Sequence, residues 1–150
     1  MDALNISPLP EMIFYIPHQL WDQMQTFVSQ GAPLETCGLV AGVVKQKNYY
    51  AKTIIPVTNI LHSPTRYRMD PKEQLEAFNR IEDLEQVLLS IYHAHPQGPD
   101  RPSPTDIDEA YYPECVYLIW SGRTGTWGCR GYLIQAVEVT EVKLRITERT

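Results

Sequence analysis

Nothing in this sequence reads as a membrane-spanning helix, because no run of about eighteen uninterrupted apolar residues occurs. Residues 1–10 lack the basic and apolar regions of a secretory leader and carry Asp2 and several polar or proline breaks instead. Cysteine is sparse: Cys37, Cys115 and Cys129 are odd in number and form no CxxC pair, which excludes a disulfide framework or zinc ribbon and points to reduced thiols. Positive charge is also short, with 13 basic against 18 acidic residues and a net charge of −5, so there is no surplus to neutralise phosphates. The expectation is a soluble cytoplasmic protein without a membrane or nucleic-acid partner. Internal repeats and low-complexity linkers are absent as well, and 150 residues fall short of the roughly 250 of a full (β/α)8 barrel, so residues 1–150 read as one domain.

The hydrophobic pattern supplies the elements. Met12 to Ile16 is a short apolar run ended by Pro17, which suits the first turn of a helix because its missing N–H needs no partner there. Leu20, Met24, Phe27 and Val28 then fall on one helical stripe that Gly31 and Pro33 stop. Cys37 to Val44 and Tyr49 to Thr58, joined by the polar Lys45 to Asn48, predict a hairpin. Asp70, Pro71 and Glu73 mark a helix start in which Asp70 caps and Glu73 reaches back, followed by Leu75, Phe78 and Ile81 on one side. Val87 to Tyr92 flows into His93, and Ser103, Pro104 and Asp106 repeat the cap signal for a third helix. Tyr117 to Trp120, Trp127 to Val139 and Val142 to Ile146 add strand material around a turn at Gly122 and Gly125. The fold class is α/β in the α+β sense: a mixed sheet flanked by about three helices.

Chemistry concentrates between His93 and Asp106. Side chains alternate across a strand, so His93 and His95 project on one face while Ala94 points the other way, and two imidazoles converge on one ion. Ten residues separate His95 from Asp106, a loop long enough to return a carboxylate to the same point. A His2Asp set leaves an open fourth position, as catalytic zinc sites do. Taken singly, each residue has a plainer explanation: histidines two apart are more often hydrogen-bonding surface groups, and Ser103 with Asp106 is a helix cap. The cap and ligand readings do not compete, since a carboxylate fixed in a first helical turn is well placed to bind a cation. The deaminase H-x-E with P-C-x-x-C and the H-E-x-x-H of thermolysin-like enzymes are both missing.

His93-x-His95-Pro96-x-Gly98, followed by Pro102-Ser103-x-x-Asp106, resembles the JAMM, or MPN-plus, zinc metallopeptidase signature. Glu35-Thr36-Cys37-Gly38-Leu39, leading into a hydrophobic strand with Gly42, is similar to the family's upstream block. The order of elements resembles the short prokaryotic members over most of the chain. The resemblance implies a single cytidine-deaminase-like domain with one Zn2+ held by His93, His95 and Asp106, and a water as fourth ligand. It implies Glu35 as general base and then acid, and Ser103 as hydrogen-bond donor to the oxyanion. The residues alone do not single out Glu35 from the other acids. Cys37, among apolar neighbours, reads as a small buried hydrophobe; His18 and His62 read as surface residues, and Tyr67, Tyr92 and Trp120 as core or cleft wall.

The resemblance further implies hydrolysis after the C-terminal Gly-Gly of ubiquitin or a ubiquitin-like sulfur-carrier protein, isopeptide bonds included. The competing readings are a RadC-like JAMM protein, a general peptide hydrolase and a non-catalytic MPN scaffold. All four key residues are present, which counts against the scaffold. Exposed sheet edges would permit a homodimer.

Overall fold

The structure is a computed structural model and describes residues 6–7, 11–123 and 125–148. The reading of residues 1–10 as free of a leader therefore falls largely outside the described residues.

The chain runs β1 (Ile6–Ser7), β2 (Ile13–Pro17), α1 (His18–Gly31), β3 (Cys37–Lys45), β4 (Asn48–Val57), α2 (Pro71–Asp83), β5 (Val87–His95), α3 (Pro104–Asp108), β6 (Val116–Ser121), β7 (Gly128–Gln135) and β8 (Glu138–Thr147). Three helices and a mixed sheet match the expected class. The expected hairpin is β3 and β4, antiparallel through Lys45 and Asn48.

The sheet is not open, however. Its order is β1-β8-β2-β4-β3-β5-β6-β7, and β7 also pairs with β8, so seven strands, β2 to β8, close into a ring with β1 laid beside β8. Every strand of that ring has neighbours on both sides, although β2 and β4 pair at only two positions, Phe14–Tyr49 and Tyr15–Tyr50, so the edges that had suggested strand-mediated dimerisation are reduced to the remainder of β4. Closure depends on the β7–β8 hairpin, and its turn at residues 136–137 was invisible in the pattern because Ala136 and Val137 extend the apolar run. Ala136 turns by adopting φ 55°.

Local predictions hold where the partner is local. Pro17 instead ends β2, paired with Thr147, and sits as the extended residue before α1. Met24 and Val28 are buried, but Phe27 is 39% exposed. In α2 the buried residues are Ala77 and Ile81, whereas Leu75 is 61% exposed. Six positions before Ile81 puts Leu75 about 120° around the helix from it. Asp70 caps α2 as expected, accepting from the N–H groups of Lys72 and Glu73. Glu73 does not reach back to Asp70: its carboxylate accepts the Thr58 N–H at 2.9 Å, while the Asp70 N–H donates to the Thr58 carbonyl. The end of β4 offers both groups, so a tertiary partner replaces the local one.

Two apolar clusters form on the two faces of β5. Tyr92 and Ala94 pack with Val40, Leu118, Trp120 and the α1 residues Met24 and Val28. Ile91 packs with Leu39, Ile119, Ala77 of α2 and, at its margin, Phe78 and Ile107. Alternation therefore puts His93 and His95 on the Ile91 face, toward α2 and α3.

Gly42 marks the tightest approach along β3, at the irregularity between Ala41 and Gly42, where an added Cβ would lie 2.0 Å from the Tyr50 carbonyl oxygen. Because backbone must move to relieve that contact, Gly42→Ala should cost about 1–3 kcal/mol. Urea unfolding measures this, and an unchanged midpoint would mean that the strands separate freely there.

Candidate metal centre

Strand β5 delivers the two histidines and the first turn of α3 delivers the carboxylate. His93 is fully buried and His95 is 6% exposed. Their Nε2 atoms face each other at 3.0 Å. Asp106 Oδ1 lies 3.3 Å from His93 Nε2, and Asp106 Oδ2 lies 3.1 Å from His95 Nε2. The structure thus brings together all three residues expected to hold a metal.

Each of these side chains is aimed by its own local contact. His95 Nδ1 is 2.8 Å from the Pro99 carbonyl, which has no hydrogen to give, so Nδ1 carries a proton and Nε2 is the nitrogen left to face a metal. Asp106 closes the predicted capping box: its Oδ2 accepts the Ser103 N–H at 2.8 Å, and its own N–H donates to Ser103 Oγ at 3.1 Å. Ser103 Oγ serves as acceptor there and keeps its hydrogen for another partner. On the far face of His93, the Tyr67 ring stacks at 4.5 Å between centroids.

Glu35 arrives from the segment before β3 and is 4% exposed. Its carboxylate and the two histidines place ligand atoms within 4.8 Å of one another. Asn59 anchors it: the side-chain amide donates to the carbonyls of Glu35 and Arg66, while its oxygen accepts the N–H groups of Leu61 and Arg68. Asn59, saturated in this way, ties Glu35 to the 61–68 loop that carries Tyr67. Sequence reasoning missed it, since an asparagine after a strand looks like any turn residue. Glu35, Pro64, Thr65, His95, Gln97, Gly98, Pro99 and Ser103 line one open cleft.

The donor set fits a cation. Two imidazole nitrogens and a carboxylate converge on one point at the wall of this cleft, each within 3.3 Å of another. A single divalent ion satisfies all three at once. Glu35 Oε1 is buried beside them without a hydrogen-bond partner. The other residues singled out in the sequence are placed as follows. Cys37 is buried, donates to the Val57 carbonyl, and burial pushes its thiol up to about 12, which suits neither a nucleophile nor a ligand. His18 and His62 are exposed, and Tyr92 and Trp120 are fully buried.

The two carboxylates are driven apart. Burial pushes Glu35 up to about 7, with His95 opposing and Asp106 assisting. Burial acts on Asp106 in the same direction, but His93, His95 and the Ser103 N–H outweigh it and hold this carboxyl well below the usual range. Folded metal-free protein therefore keeps the Glu35 proton over the interval from 4.5, the ordinary value, to about 7, where the unfolded chain has released it. Over that interval this group makes stability fall as pH rises. Urea titrations of metal-free protein near the two ends should show a smaller loss for Glu35→Gln than for the parent. Equal losses would mean that the buried carboxyl ionises as freely as an exposed one.

Comparison with known proteins agrees with the motif. The model of a family described as prokaryotic homologs of the JAB domain matches residues 17–134. The chain is 36% identical over 124 residues to a probable TtuB-protein conjugate cleaving protease of Thermus thermophilus, covering 82% of this chain and 77% of that one. It is 33% identical over 138 residues to a CysO-cysteine peptidase of Mycobacterium tuberculosis, covering 91% and 93%. The solution structure of a protein from Desulfitobacterium hafniense superposes with a TM-score of 0.82 at 30% identity, covering 91% and 94%. No helix among the described residues is long and apolar enough to cross a membrane. Matched over this much of its length, the chain belongs to the prokaryotic JAB-domain family of JAMM-type peptidases.

Proposed function

We propose that this peptidase is zinc-dependent and hydrolyses the bond after the C-terminal Gly-Gly of a ubiquitin-like sulfur-carrier protein, including isopeptide bonds. The observation that carries the reading is the convergence of His93, His95 and Asp106 on one point with the buried carboxyl of Glu35 facing the same cleft. Similarity over most of the chain to proteins named for cleaving TtuB conjugates and CysO-cysteine supports the substrate class.

His93 Nε2, His95 Nε2 and an Asp106 oxygen would hold the zinc. When bound, it supplies Lewis-acid polarisation and lowers the pKa of a water. Glu35 Oε1, raised toward neutrality and without a partner, takes a proton at the start of the reaction and passes it to the leaving amine. The Ser103 hydroxyl donates to the carbonyl oxygen as charge develops there. The Pro99 carbonyl keeps the His95 ring from turning. Gly98 and the prolines at 64 and 99 make a cleft wall without long side chains, against which a substrate Gly-Gly lies with its backbone close to the reacting centre. All five of these side chains, Glu35, His93, His95, Ser103 and Asp106, come from one chain, so no second copy is needed to complete the site. In this reading residues 1–150 are one catalytic domain acting in the cytoplasm, where Cys37, Cys115 and Cys129 stay reduced.

Metal analysis should return about one zinc per chain. His95→Ala and Asp106→Ala should lose it, and full retention by either would remove that residue from the ligand set. Glu35→Gln should retain zinc while hydrolysis falls at least about 100-fold, whereas Ser103→Ala should lower kcat about 100- to 1,000-fold. Incubation with ubiquitin-like fusions and with unrelated peptides, read by mass spectrometry, should give cleavage after Gly-Gly alone. Cutting of the unrelated peptides at similar rates would replace this reading with a general peptidase.

A further inference from the structure

The loop from residue 96 to residue 103 contains Pro96, Pro99 and Pro102, which contribute no N–H. Its internal hydrogen bonding is correspondingly thin, with the Gly98 N–H donating back to the His95 carbonyl at 3.2 Å. Three successive carbonyls of this loop are instead each taken by a side chain from a different strand. The Ser121 hydroxyl of β6 donates to the Gly98 oxygen at 2.8 Å. His95 of β5 holds the Pro99 oxygen at 2.8 Å. The Tyr132 hydroxyl of β7 donates to the Asp100 oxygen at 2.6 Å.

The middle bond of the three orients a ligand, and the outer two pin the peptide on either side of it. Register makes this arrangement: β5 and β6 run parallel with His95 opposite Ser121, and Tyr132 is buried at 2% exposure on β7, the next strand. Arg130 adds an ion pair to the Asp100 carboxylate at 2.9 Å, but its side chain is 52% exposed, and exposed pairs contribute little.

We propose that Ser121 and Tyr132 are positioning residues of the metal centre, clamping the Gly98 and Asp100 carbonyls so that the Pro99 carbonyl fixes the ring and tautomer of His95. The proposal rests on the reading of His95 as a ligand and extends it to two side chains that touch neither metal nor substrate. Tyr132 carries no part of the family motif and Ser121 enters the resemblance only as part of a Ser-Gly turn, so the positioning role of both is argued from these bonds.

Ser121→Ala, Tyr132→Phe and the double variant test it, with Arg130→Gln as the exposed-pair comparison. Ser121→Ala and Tyr132→Phe each remove one hydroxyl and leave the packing volume nearly intact. Competition with a chelator should show zinc held about 10- to 100-fold more weakly by the double variant, the range expected for groups that orient a ligand. kcat should fall with KM nearly unchanged, Ser121→Thr should restore both, and Arg130→Gln should move neither appreciably. Lower thermal stability with parental zinc affinity would overturn the proposal, because a merely structural role moves the first and not the second. Imidazole nitrogen NMR of the metal-free chain decides the matter independently of function. The parent should show His95 protonated at Nδ1 and the double variant should lose that single tautomer; an unchanged spectrum overturns the inference. If the parent binds no zinc at all, the proposed function fails, and the tautomer measurement still decides the clamp.

Discussion

Two imidazole nitrogens and a carboxylate held about 3 Å from one another and largely buried is an arrangement that a protein does not reach by default. Buried imidazoles and a buried carboxylate lose their hydration, so something must hold the groups in place and something must satisfy them. Much of the surrounding architecture bears on the first requirement. Alternation along β5 puts both rings on one face, stacking by Tyr67 fixes one ring, and the Pro99 carbonyl fixes the other. The cap of α3 brings Asp106 in from the opposite side.

Carboxylates at 35 and 106 show how environment divides labour. Burial works against the charge on both. Asp106 is compensated by two histidines and a backbone N–H, and so stays ionised, as a ligand must. Glu35 has no such set of partners, and its proton becomes exchangeable near neutrality, as a general base requires. The proposed assignment of ligand and base rests on what each oxygen touches.

The parts of this molecule legible in the sequence are those whose cause lies within a few residues. The face shared by His93 and His95 is a property of any strand, and the box formed by Ser103 and Asp106 is a property of a helix start. Glu35 was legible only through a motif, because what makes it special is contributed from a distance: the Ser63 carbonyl accepts its N–H, and Asn59 holds its carbonyl. Closure of the sheet was hidden for a similar reason, since it depends on a turn at Ala136 and Val137 that looks like strand and on pairing of β8 with β2, far apart in the chain. Leu75 and Phe27 were misassigned because periodicity identifies a stripe without fixing which margin meets the core. Tyr132 gave no signal, and Ser121 only that of a Ser-Gly turn after a strand, because a hydroxyl's partner across the sheet is hidden until register is known.

Asp106 serves two masters through one pair of bonds: the contacts that start α3 are the contacts that hold its carboxylate toward the histidines. Selection for the fold alone would therefore keep an aspartate at this position in a descendant that had abandoned catalysis. Glu35 caps nothing, and its Oε1 is bonded to nothing among the described residues. Drift should erase it first, so that among chains of this kind the survival of the upstream glutamate is the better marker of a working enzyme.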